Sequence, residues 1–372
     1  MGSQILITGG AGFIGSHLAD ALLARGHRVR ALDALLPQVH GAEGDRPGYL
    51  DPRVDLHVGD VRDAAAVRRA LVGVDVVFHL AAAVGVGQSM YEIAHYTAVN
   101  NLGTAVLLEA LSARPVGRLI VASSMSVYGE GAYHRRDGRP CSAEERPLSQ
   151  LKAGDWELRA PDGERLCPVP TPESKAPALA SVYALSKYDQ ERMCLVVGRA
   201  YGIPTTALRL FNVYGPRQAL SNPYTGVLAI FASRLLNGNQ PTVYEDGLQR
   251  RDFVSVRDVA DAFCLAMERT EADGRVLNVG SGQSYTIREI AERVAAATGR
   301  DDLRPVMTGK YRVGDIRHCF ADIGEARRLL GYEPRVHLEE GLGELADWLQ
   351  GQEATDRAEE AGAELAARGL TV

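Results

Sequence analysis

A glycine-rich turn lies between an apolar run and a helical pattern at the start of the chain. Residues 4–8 form the short apolar run expected of a strand that is buried on both faces, and a helical pattern covers 16–25. Gly9, Gly12 and Gly15 stand between them with G-x-x-G-x-x-G spacing. Because glycine has no side chain, such a backbone can turn tightly and approach a pyrophosphate at the helix N-terminus. The strand–turn–helix context favours a dinucleotide site over a glycine-rich turn without a ligand.

Strand and helix patterns alternate through the first 210 residues. This alternation predicts an α/β fold of the Rossmann type, with a doubly wound parallel sheet. The predicted strands are 4–8, 28–32, 54–58, 75–79, 118–122 and 205–210. The predicted helices are 16–25, 63–71, about 99–113 and 183–201.

Shorter elements follow from about residue 212 and predict a smaller, mixed C-terminal substrate domain. They comprise a strand near 242–244, helices near 225–237, 257–269 and 287–298, and a helix pair over 322–350. We expect a dinucleotide-binding Rossmann domain over 1–211, with 129–180 inserted as a lid or subdomain, since a structureless loop of that length is unusual. Residues 212–350 form the substrate region, and 351–372 form a C-terminal helix or a flexible tail.

Charge and cysteine content exclude several classes of function. The 41 basic and 47 acidic residues are mixed along the chain without a basic stripe, which argues against a nucleic-acid polymer as partner. No apolar run approaches the roughly 20 residues of a membrane span. The five cysteines form no C-x-x-C pair, which indicates reduced thiols and a cytoplasmic protein.

Two aspartates end predicted strands on the side of the glycine-rich turn. Asp33 follows Gly15 by 18 residues, a position from which a carboxylate can bind both ribose hydroxyls of NAD and repel the 2′-phosphate of NADP. Asp60 ends the next strand, where Asp60 and Val61 can hold the adenine edge. Alternatively, Asp60 caps the helix over 63–71.

Tyr183 and Lys187 lie one helical turn apart in the predicted helix 183–201. A free phenol titrates near pH ~10, and an adjacent ammonium favours the phenolate. A Tyr-x-x-x-Lys pair is common by itself. Behind a dinucleotide-type turn, it indicates an enzyme that transfers a proton and a hydride.

Together these motifs resemble those of the extended short-chain dehydrogenases/reductases, in the NAD-dependent nucleotide-sugar epimerase/dehydratase branch. The resemblance covers residues 4 to about 349 and implies a Rossmann domain with a small C-terminal nucleotide-sugar domain. The motifs, in chain order, are Thr8-Gly-Gly-Ala-Gly-Phe-Ile-Gly15, Asp33, Gly59-Asp60-Val61, His79-Leu-Ala-Ala82, Asn100, Ser123-Ser124, Val127-Tyr-Gly129, Tyr183-x-x-x-Lys187 and Asn212-Val-Tyr-Gly-Pro-Arg217.

The resemblance also implies the site residues. Ser124 shares the hydrogen bond to the reacting sugar oxygen, Tyr183 is the base, and Lys187 lowers the pKa of Tyr183 and contacts the nicotinamide ribose. The NAD-binding residues are Gly9, Gly12, Phe13, Ile14, Gly15, Asp33, Asp60, Val61, Leu80, Ala81, Ala82, Asn100, Ser123, Tyr183, Lys187 and Phe211. The nucleotide-sugar residues are Ser89, Ser126, Asn212, Arg217, Val243, Tyr244, Arg251 and Arg317.

The residues after Ser124 separate the branches of this family. Dehydratases have Asp-Glu there, whereas this chain has Met125 and Ser126, which cannot supply a carboxyl acid and base. The resemblance therefore favours 4-epimerisation of a UDP- or dTDP-hexose, with an NDP-sugar dehydratase or an NAD-dependent reductase or dehydrogenase as the alternative.

Two further expectations concern the insertion and the assembly. The insertion resembles that of dTDP-L-rhamnose-type epimerases, whose branch often carries a zinc-binding cysteine ribbon. Here Cys141, Cys167 and His134 are too few and irregular, so no metal is expected. Helices near 99–113 and 181–200 form a four-helix dimer interface in this family, which implies a homodimer.

Overall fold

A seven-stranded parallel sheet is the centre of the molecule in the computed structural model, which describes residues 2–41, 44–142, 145–312 and 315–371. Its central strands are short apolar runs buried on both faces, as parallel strands covered by helices must be. In spatial order the strands are Val276–Val279, Thr205–Leu210, Arg118–Ser124, Val76–His79, Gln4–Thr8, Arg28–Asp33 and Asp55–Val58.

Helices cover both faces of this sheet and enclose two apolar clusters. On one face, Phe13–Ala24 packs against Val256–Glu268, burying Leu18, Leu22 and Phe263. On the other face lie Ala64–Ala70, Gly103–Ala113 and Val182–Tyr201, with Leu107, Leu111 and Cys194 between them and the sheet. The predicted fold class, an α/β doubly wound parallel sheet, is therefore confirmed.

Two features of this layer differ from the sequence-based expectation. The edge strand Val276–Val279 was not predicted, and it pairs with Thr205–Leu210 although it comes from the region beyond residue 211. The sheet thus includes strands from both sides of residue 211. The division of the chain into two domains at that residue stays a prediction. The helix predicted over 99–113 is also interrupted, since Thr97–Leu102 forms a π-helical stretch before Gly103–Ala113.

The region after residue 212 contains a third apolar cluster. The helices Val227–Leu236, Ile287–Ala297 and Leu338–Leu349 pack together around Phe231, Val294 and other buried residues. The remaining helices of this region are Thr270–Ala272 and Gly324–Leu330. Its short strands are Asn212–Tyr214, Thr242–Val243, Arg250–Arg251, Phe253–Ser255, Tyr285–Thr286, Val306–Met307 and His318–Cys319.

The insertion forms a small subdomain of its own. The strands Ala132–His134, Pro140–Cys141 and Cys167–Val169 pair antiparallel, and Leu148–Lys152 is a helix. Tyr133, Leu158, Ala160 and Leu166 form its core. Within the described ranges, no group of three or more His, Cys, Asp or Glu side chains is placed to hold a metal ion.

Several short helices connect the larger elements, and the C-terminal segment ends in a longer one. The connecting helices are Pro37–His40, Val86–Ser89, Ile93–Tyr96 and Met125–Tyr128. The last helix, Ala358–Ala367, buries Ala361 and Leu365 against the rest of the protein. Among the helices of the described chain, none combines the length and the apolar character that crossing a bilayer requires.

Candidate active site

The carboxyl ends of the parallel strands open into a cavity of about 420 Å³. In doubly wound folds, ligands bind at this edge of the sheet. The sequence-predicted residues that line it are Gly9, Gly12, Phe13, Ile14, Gly15, Asp33, Asp60, Val61, Leu80, Ala81, Ala82, Ser123, Ser124, Tyr183, Lys187, Phe211 and Asn212. We call this cavity the cleft.

The glycine-rich turn forms one wall of the cleft. Gly9 has a φ of +72°, which favours glycine, and a Cβ added to Gly15 would lie 2.3 Å from the Gly9 carbonyl oxygen. The helix Phe13–Ala24 begins at Gly12, which has no side chain to cap it. Its first N–H groups therefore lack partners within the helix and are suited to a phosphate in the cleft.

Asp33 lies at the end of its strand, next to this turn. Its Oδ2 accepts a hydrogen bond from the Ala11 N–H at 3.0 Å, and its Oδ1 accepts one from the Leu35 N–H at 3.0 Å. His40 Nε2 lies 3.5 Å from Oδ1. The carboxylate is thus fixed by the backbone and presented to the cleft, which fits the ribose of NAD.

Asp60 holds an arginine instead of capping a helix. Its Oδ2 lies 2.6 Å from Arg62 Nη2, and both residues line the cleft. Asp63 caps the helix Ala64–Ala70 by accepting a hydrogen bond from the Ala65 N–H at 2.8 Å. The helix-cap interpretation of Asp60 is therefore wrong.

Tyr183 and Ser124 both line the cleft. Ser181 caps the helix Val182–Tyr201, so Tyr183 lies in its first turn. Burial raises the pKa of Tyr183, and the nearby Ser124 hydroxyl opposes this shift. The Ser124 Oγ also accepts a hydrogen bond from Ser126 Oγ at 2.9 Å. Ser126 thus orients Ser124 and does not line the cleft itself.

Lys187 is buried one helical turn after Tyr183 and is held by Gln190. The Lys187 Nζ donates to Gln190 Oε1 at 2.6 Å, while burial lowers the pKa of Lys187 to about 8. Gln190 in turn donates to Thr104 Oγ1 at 2.9 Å. Desolvation of the phenol shifts the pKa of Tyr183 upward, and the lowering of this pKa by Lys187 stays a prediction.

Asn100 and Ser89 are not among the residues that line the cleft, and their contacts with cofactor and substrate stay predictions. Asn100 is fully buried, and its Oδ1 accepts a hydrogen bond from the Ala83 N–H at 2.7 Å. The Ser89 Oγ accepts a hydrogen bond from the Tyr183 N–H at 3.0 Å. Both side chains are hydrogen-bonded to backbone groups, so they position the cleft wall and the helix Val182–Tyr201.

Arg217 and Arg251 do not line the cleft either. Arg217 Nη1 donates to Asp20 Oδ2 at 2.8 Å, which ties the end of strand Asn212–Tyr214 to the helix Phe13–Ala24. The Arg251 guanidinium donates to the backbone carbonyl oxygens of Arg250, Ile316 and Arg317. Both guanidinium groups are therefore committed to structural contacts.

Arg317 is completely buried among carboxylates. It lies 2.7 Å from Glu157, 2.8 Å from Glu245 and 2.7 Å from Asp246. Burial opposes ionisation of Glu157, but hydrogen bonds from His318 and Arg317 lower the pKa of this carboxyl to about 2. Arg317 therefore joins the insertion to the C-terminal region and is not a cleft residue.

Of the remaining predicted substrate residues, Asn212 fits best. Its Oδ1 is buried without a hydrogen-bond partner among the described residues, and the side chain lines the cleft. Val243 is buried, and Tyr244 lies under the Arg312 guanidinium, 4.9 Å from the ring centroid. Neither lines the cleft.

Sequence reasoning missed a second wall of the cleft. This wall precedes and begins the ten-residue helix Val227–Leu236, whose N-cap is Gly226. A glycine before a helical pattern was the available signal. The missed residues are Gln218, Ala219, Asn222, Tyr224, Thr225, Gly226, Val227 and Leu228.

His79 behind the cleft predicts a pH dependence of stability. Burial, with a contribution from Lys187, lowers the pKa of His79 to about 3, against 6.5 for the unfolded chain. Its stabilising contribution is complete above pH 6.5 and is lost as the pH falls towards 3, by about 1.4 kcal/mol per pH unit. We expect the stability gap between wild type and His79→Gln, measured by urea unfolding from pH 7 to 4, to narrow at that rate. A constant gap would contradict a neutral, buried His79.

Comparison with known proteins places the chain in a family. The model of the NAD dependent epimerase/dehydratase family matches residues 5–152 and 161–280. A dTDP-L-rhamnose 4-epimerase from Burkholderia thailandensis is 38% identical over 94% of this chain and 95% of its own length. A dTDP-glucose 4,6-dehydratase from an Actinoplanes species is 29% identical over 93% of this chain and 97% of its own.

Solved structures agree with this placement. UDP-glucose 4-epimerase from Thermotoga maritima, with UDP-glucose, has a TM-score of 0.76 and 32% identity, covering 93% of this chain and 98% of its own. The Thermus thermophilus UDP-glucose 4-epimerase complex with NAD has a TM-score of 0.74 and 32% identity, covering 94% and 100%. The chain therefore belongs to the NAD-dependent epimerase/dehydratase family of extended short-chain dehydrogenases/reductases.

Proposed function

We propose that this protein is a nucleotide-sugar 4-epimerase that retains NAD and uses Tyr183 as its base. The observation that carries the proposal is that Tyr183, Ser124 and Lys187 line the same cleft as the glycine-rich turn. A phenol and a hydroxyl that line one cleft can both hydrogen-bond to a reacting alcohol. The similarity to 4-epimerases supports the same chemistry.

Each catalytic side chain has a separate task. Tyr183 takes the proton of the sugar C4 hydroxyl, and the Ser124 hydroxyl keeps that oxygen in place. NAD held at the glycine-rich turn and Asp33 would accept the C4 hydride and return it. The 4-keto sugar turns over within the cleft, and Tyr183 returns the proton once the hydride reaches the opposite face. Lys187 contributes a buried ammonium one helical turn from Tyr183 and would donate to the cofactor ribose.

The second wall of the cleft suits a nucleoside diphosphate. The first N–H groups of the helix Val227–Leu236 have no partners within the helix, and Val227 and Leu228 line the cleft. The unpartnered Oδ1 of Asn212 requires a donor, which a sugar hydroxyl provides. We therefore propose a UDP- or dTDP-hexose as the substrate.

Carboxylates in the cleft help to separate epimerisation from dehydration, the alternative that a related dehydratase keeps open. Among the described lining residues, Asp33 and Asp60 are the carboxylates. Asp33 accepts backbone hydrogen bonds and Asp60 is paired with Arg62, so neither is available as an acid for water elimination. Met125 and Ser126 occupy the two positions after Ser124 and carry no carboxyl group. This arrangement favours epimerisation.

Product analysis tests the proposal. Mass spectrometry of the ligand released from purified protein should identify NAD. NMR of products from a panel of UDP- and dTDP-hexoses should show interconversion at C4 without loss of water. A 4-keto-6-deoxy product would support the dehydratase instead, and accumulation of free NADH would support a reductase or dehydrogenase.

Asp33 gives a prediction about the cofactor. Replacing Asp33 with Ala removes the carboxylate proposed to accept the ribose hydroxyls, a charged hydrogen bond of about 1.5–3 kcal/mol. We expect the Kd for NAD to rise at least about tenfold and the preference for NAD over NADP to fall. Asp63→Asn, which keeps a good helix cap, is the matched control. Unchanged NAD content in Asp33→Ala, measured after denaturation, would contradict this role.

A homodimer is proposed by analogy with the family. The helices Gly103–Ala113 and Val182–Tyr201 pack side by side. Leu102, at the start of the first helix, and Leu185 and Val196, on the second, are 53%, 46% and 58% exposed. Exposed apolar side chains on two adjacent helices are suited to a four-helix interface.

A further inference from the structure

The C-terminal segment 351–371 lies against residues that adjoin the cleft. Its helix Ala358–Ala367 has an apolar side on which Leu365 is 5% exposed and Ala361 is 8% exposed. For the last helix of a chain, such burial requires a partner surface. That surface comes from two segments beside the cleft, one carrying Gly87 and Tyr91 and the other carrying Ser221 in the second wall.

On one side, the helix lies against the segment that follows the strand Val76–His79 and includes the short helix Val86–Ser89. A Cβ added to Gly87 would lie 3.3 Å from the Leu365 methyl groups, so the Leu365 side chain packs closely on the Gly87 backbone. The Arg368 guanidinium lies 4.4 Å from the centroid of the Tyr91 ring. Glu364 Oε2 lies 3.5 Å from the Tyr91 hydroxyl.

On the other side, the C-terminal segment is fixed by polar contacts before the helix. The Thr355 N–H donates to Ser221 Oγ at 3.0 Å, directly before the cleft residue Asn222. Asp356 Oδ2 accepts a hydrogen bond from Asn239 Nδ2 at 2.8 Å and lies 3.3 Å from Arg234 Nη1.

The end of the segment returns to the C-terminal region. Thr371 pairs antiparallel with Arg312, the residue that covers Tyr244. A Cβ added to Gly362 would lie 4.0 Å from the Tyr244 hydroxyl. Tyr244, which the sequence assigns to the nucleotide sugar, is therefore covered by this segment.

The two segments beside the cleft meet beneath the helix. The hydroxyl groups of Tyr91 and Tyr224 are 2.5 Å apart, and Tyr224 lines the cleft. Gln38 Nε2 donates to Gln88 Oε1 at 3.2 Å and to Asn222 Oδ1 at 3.0 Å. The helix thus lies on a layer of hydrogen-bonded side chains that includes the cleft residues Tyr224 and Asn222.

We propose that segment 351–371 is the outer wall of the nucleotide-sugar site and that Leu365 and Arg368, seated on Gly87 and Tyr91, determine how tightly the substrate is held. This inference rests on the proposed function and adds a specificity-determining element to it. Loss of the contact should loosen the loop carrying Gly87 and Tyr91 and weaken ligand binding. The catalytic pair Tyr183 and Ser124 lies deeper, so turnover at saturation should change little.

Leu365→Glu tests this in the full-length protein, because it places a charge on the contact with Gly87. Ala366→Glu is the matched control, since it adds the same charge to an exposed neighbour on the same helix. We expect Leu365→Glu to raise the KM for the nucleotide sugar and the calorimetric Kd for UDP or dTDP by about tenfold, with kcat within about twofold of wild type. Ala366→Glu should match wild type in all three. Equal KM and Kd for the two variants would overturn the proposal.

If Leu365→Glu does not fold, hydrogen exchange on the wild-type protein tests the proposal about segment 351–371. Saturating UDP or dTDP should slow exchange of the amides of the helix Ala358–Ala367, and unchanged exchange would overturn the proposal. Wild-type protein that binds neither nucleotide and epimerises no sugar would refute the proposed function. Wild-type protein that does both, with Leu365→Glu equal to its control, would refute this inference alone.

Discussion

Replacing Tyr183 with Phe should lower kcat by about 10²- to 10⁴-fold, the usual contribution of a positioned general base. The substitution removes one oxygen atom and leaves the ring in its buried position beside Tyr96, whose centroid lies 6.4 Å away. The KM for the nucleotide sugar and the amount of retained NAD should stay close to those of wild type. Steady-state rates on the substrate identified by the product analysis, with NAD content measured in parallel, check this expectation.

Tyr201→Phe is the control for this experiment. Tyr201 is the last residue of the same helix and is 52% exposed, so its hydroxyl should be dispensable. A Tyr183→Phe variant that loads NAD normally and keeps more than about a tenth of wild-type kcat would show that another group is the base.

The second large effect concerns stability. Glu191→Gln should reduce the free energy of unfolding by about 3–5 kcal/mol, because it leaves the buried Arg209 guanidinium without its counter-charge. Glu191 is fully buried, and its two oxygens lie 2.8 and 2.9 Å from Arg209 Nη2 and Nε. Ser123 Oγ also donates to Glu191 at 2.7 Å. The substitution should therefore loosen the contact between the helix Val182–Tyr201 and the strand Arg118–Ser124.

Urea unfolding of Glu191→Gln measures this effect. Glu325→Gln, which removes one partner of an exposed ion pair, is the matched control. Glu325 lies 2.5 Å from Arg328 in a pair whose side chains are 48% and 60% exposed. Removing an exposed charge of this kind should change stability by less than about 1 kcal/mol. Similar losses in the two variants would indicate that the Glu191–Arg209 pair contributes no more than a surface ion pair.

The cofactor side of the cleft could be predicted from the sequence because its determinants are local. The glycines between strand Gln4–Thr8 and helix Phe13–Ala24 turn the chain by their own backbone freedom. The location of Asp33 in the cleft could be predicted because this residue ends an apolar strand. The Tyr183–Lys187 spacing places both residues in the first turns of one helix. Such features need no knowledge of distant parts of the chain.

The substrate side could not be predicted in the same way. Arg317 has the charge that a diphosphate needs, but its ion-pair partners Glu157 and Glu245 are 160 and 72 residues away in the sequence. Only the fold reveals that these carboxylates occupy its guanidinium. The edge strand Val276–Val279 was missed because it has four residues and contains Asn278, whose burial depends on Tyr128.

Isotope tracing at the reacting carbon tests the central claim most directly. The nucleotide sugar identified by the product analysis, carrying deuterium at C4, is converted by the purified enzyme in ordinary water, and the epimer is analysed by NMR and mass spectrometry. If Tyr183 and the retained NAD oxidise C4 and reduce it again in place, the epimer keeps its deuterium at C4 through many turnovers. Deuterium lost to solvent, or an epimer formed without cleavage of that bond, would contradict the mechanism.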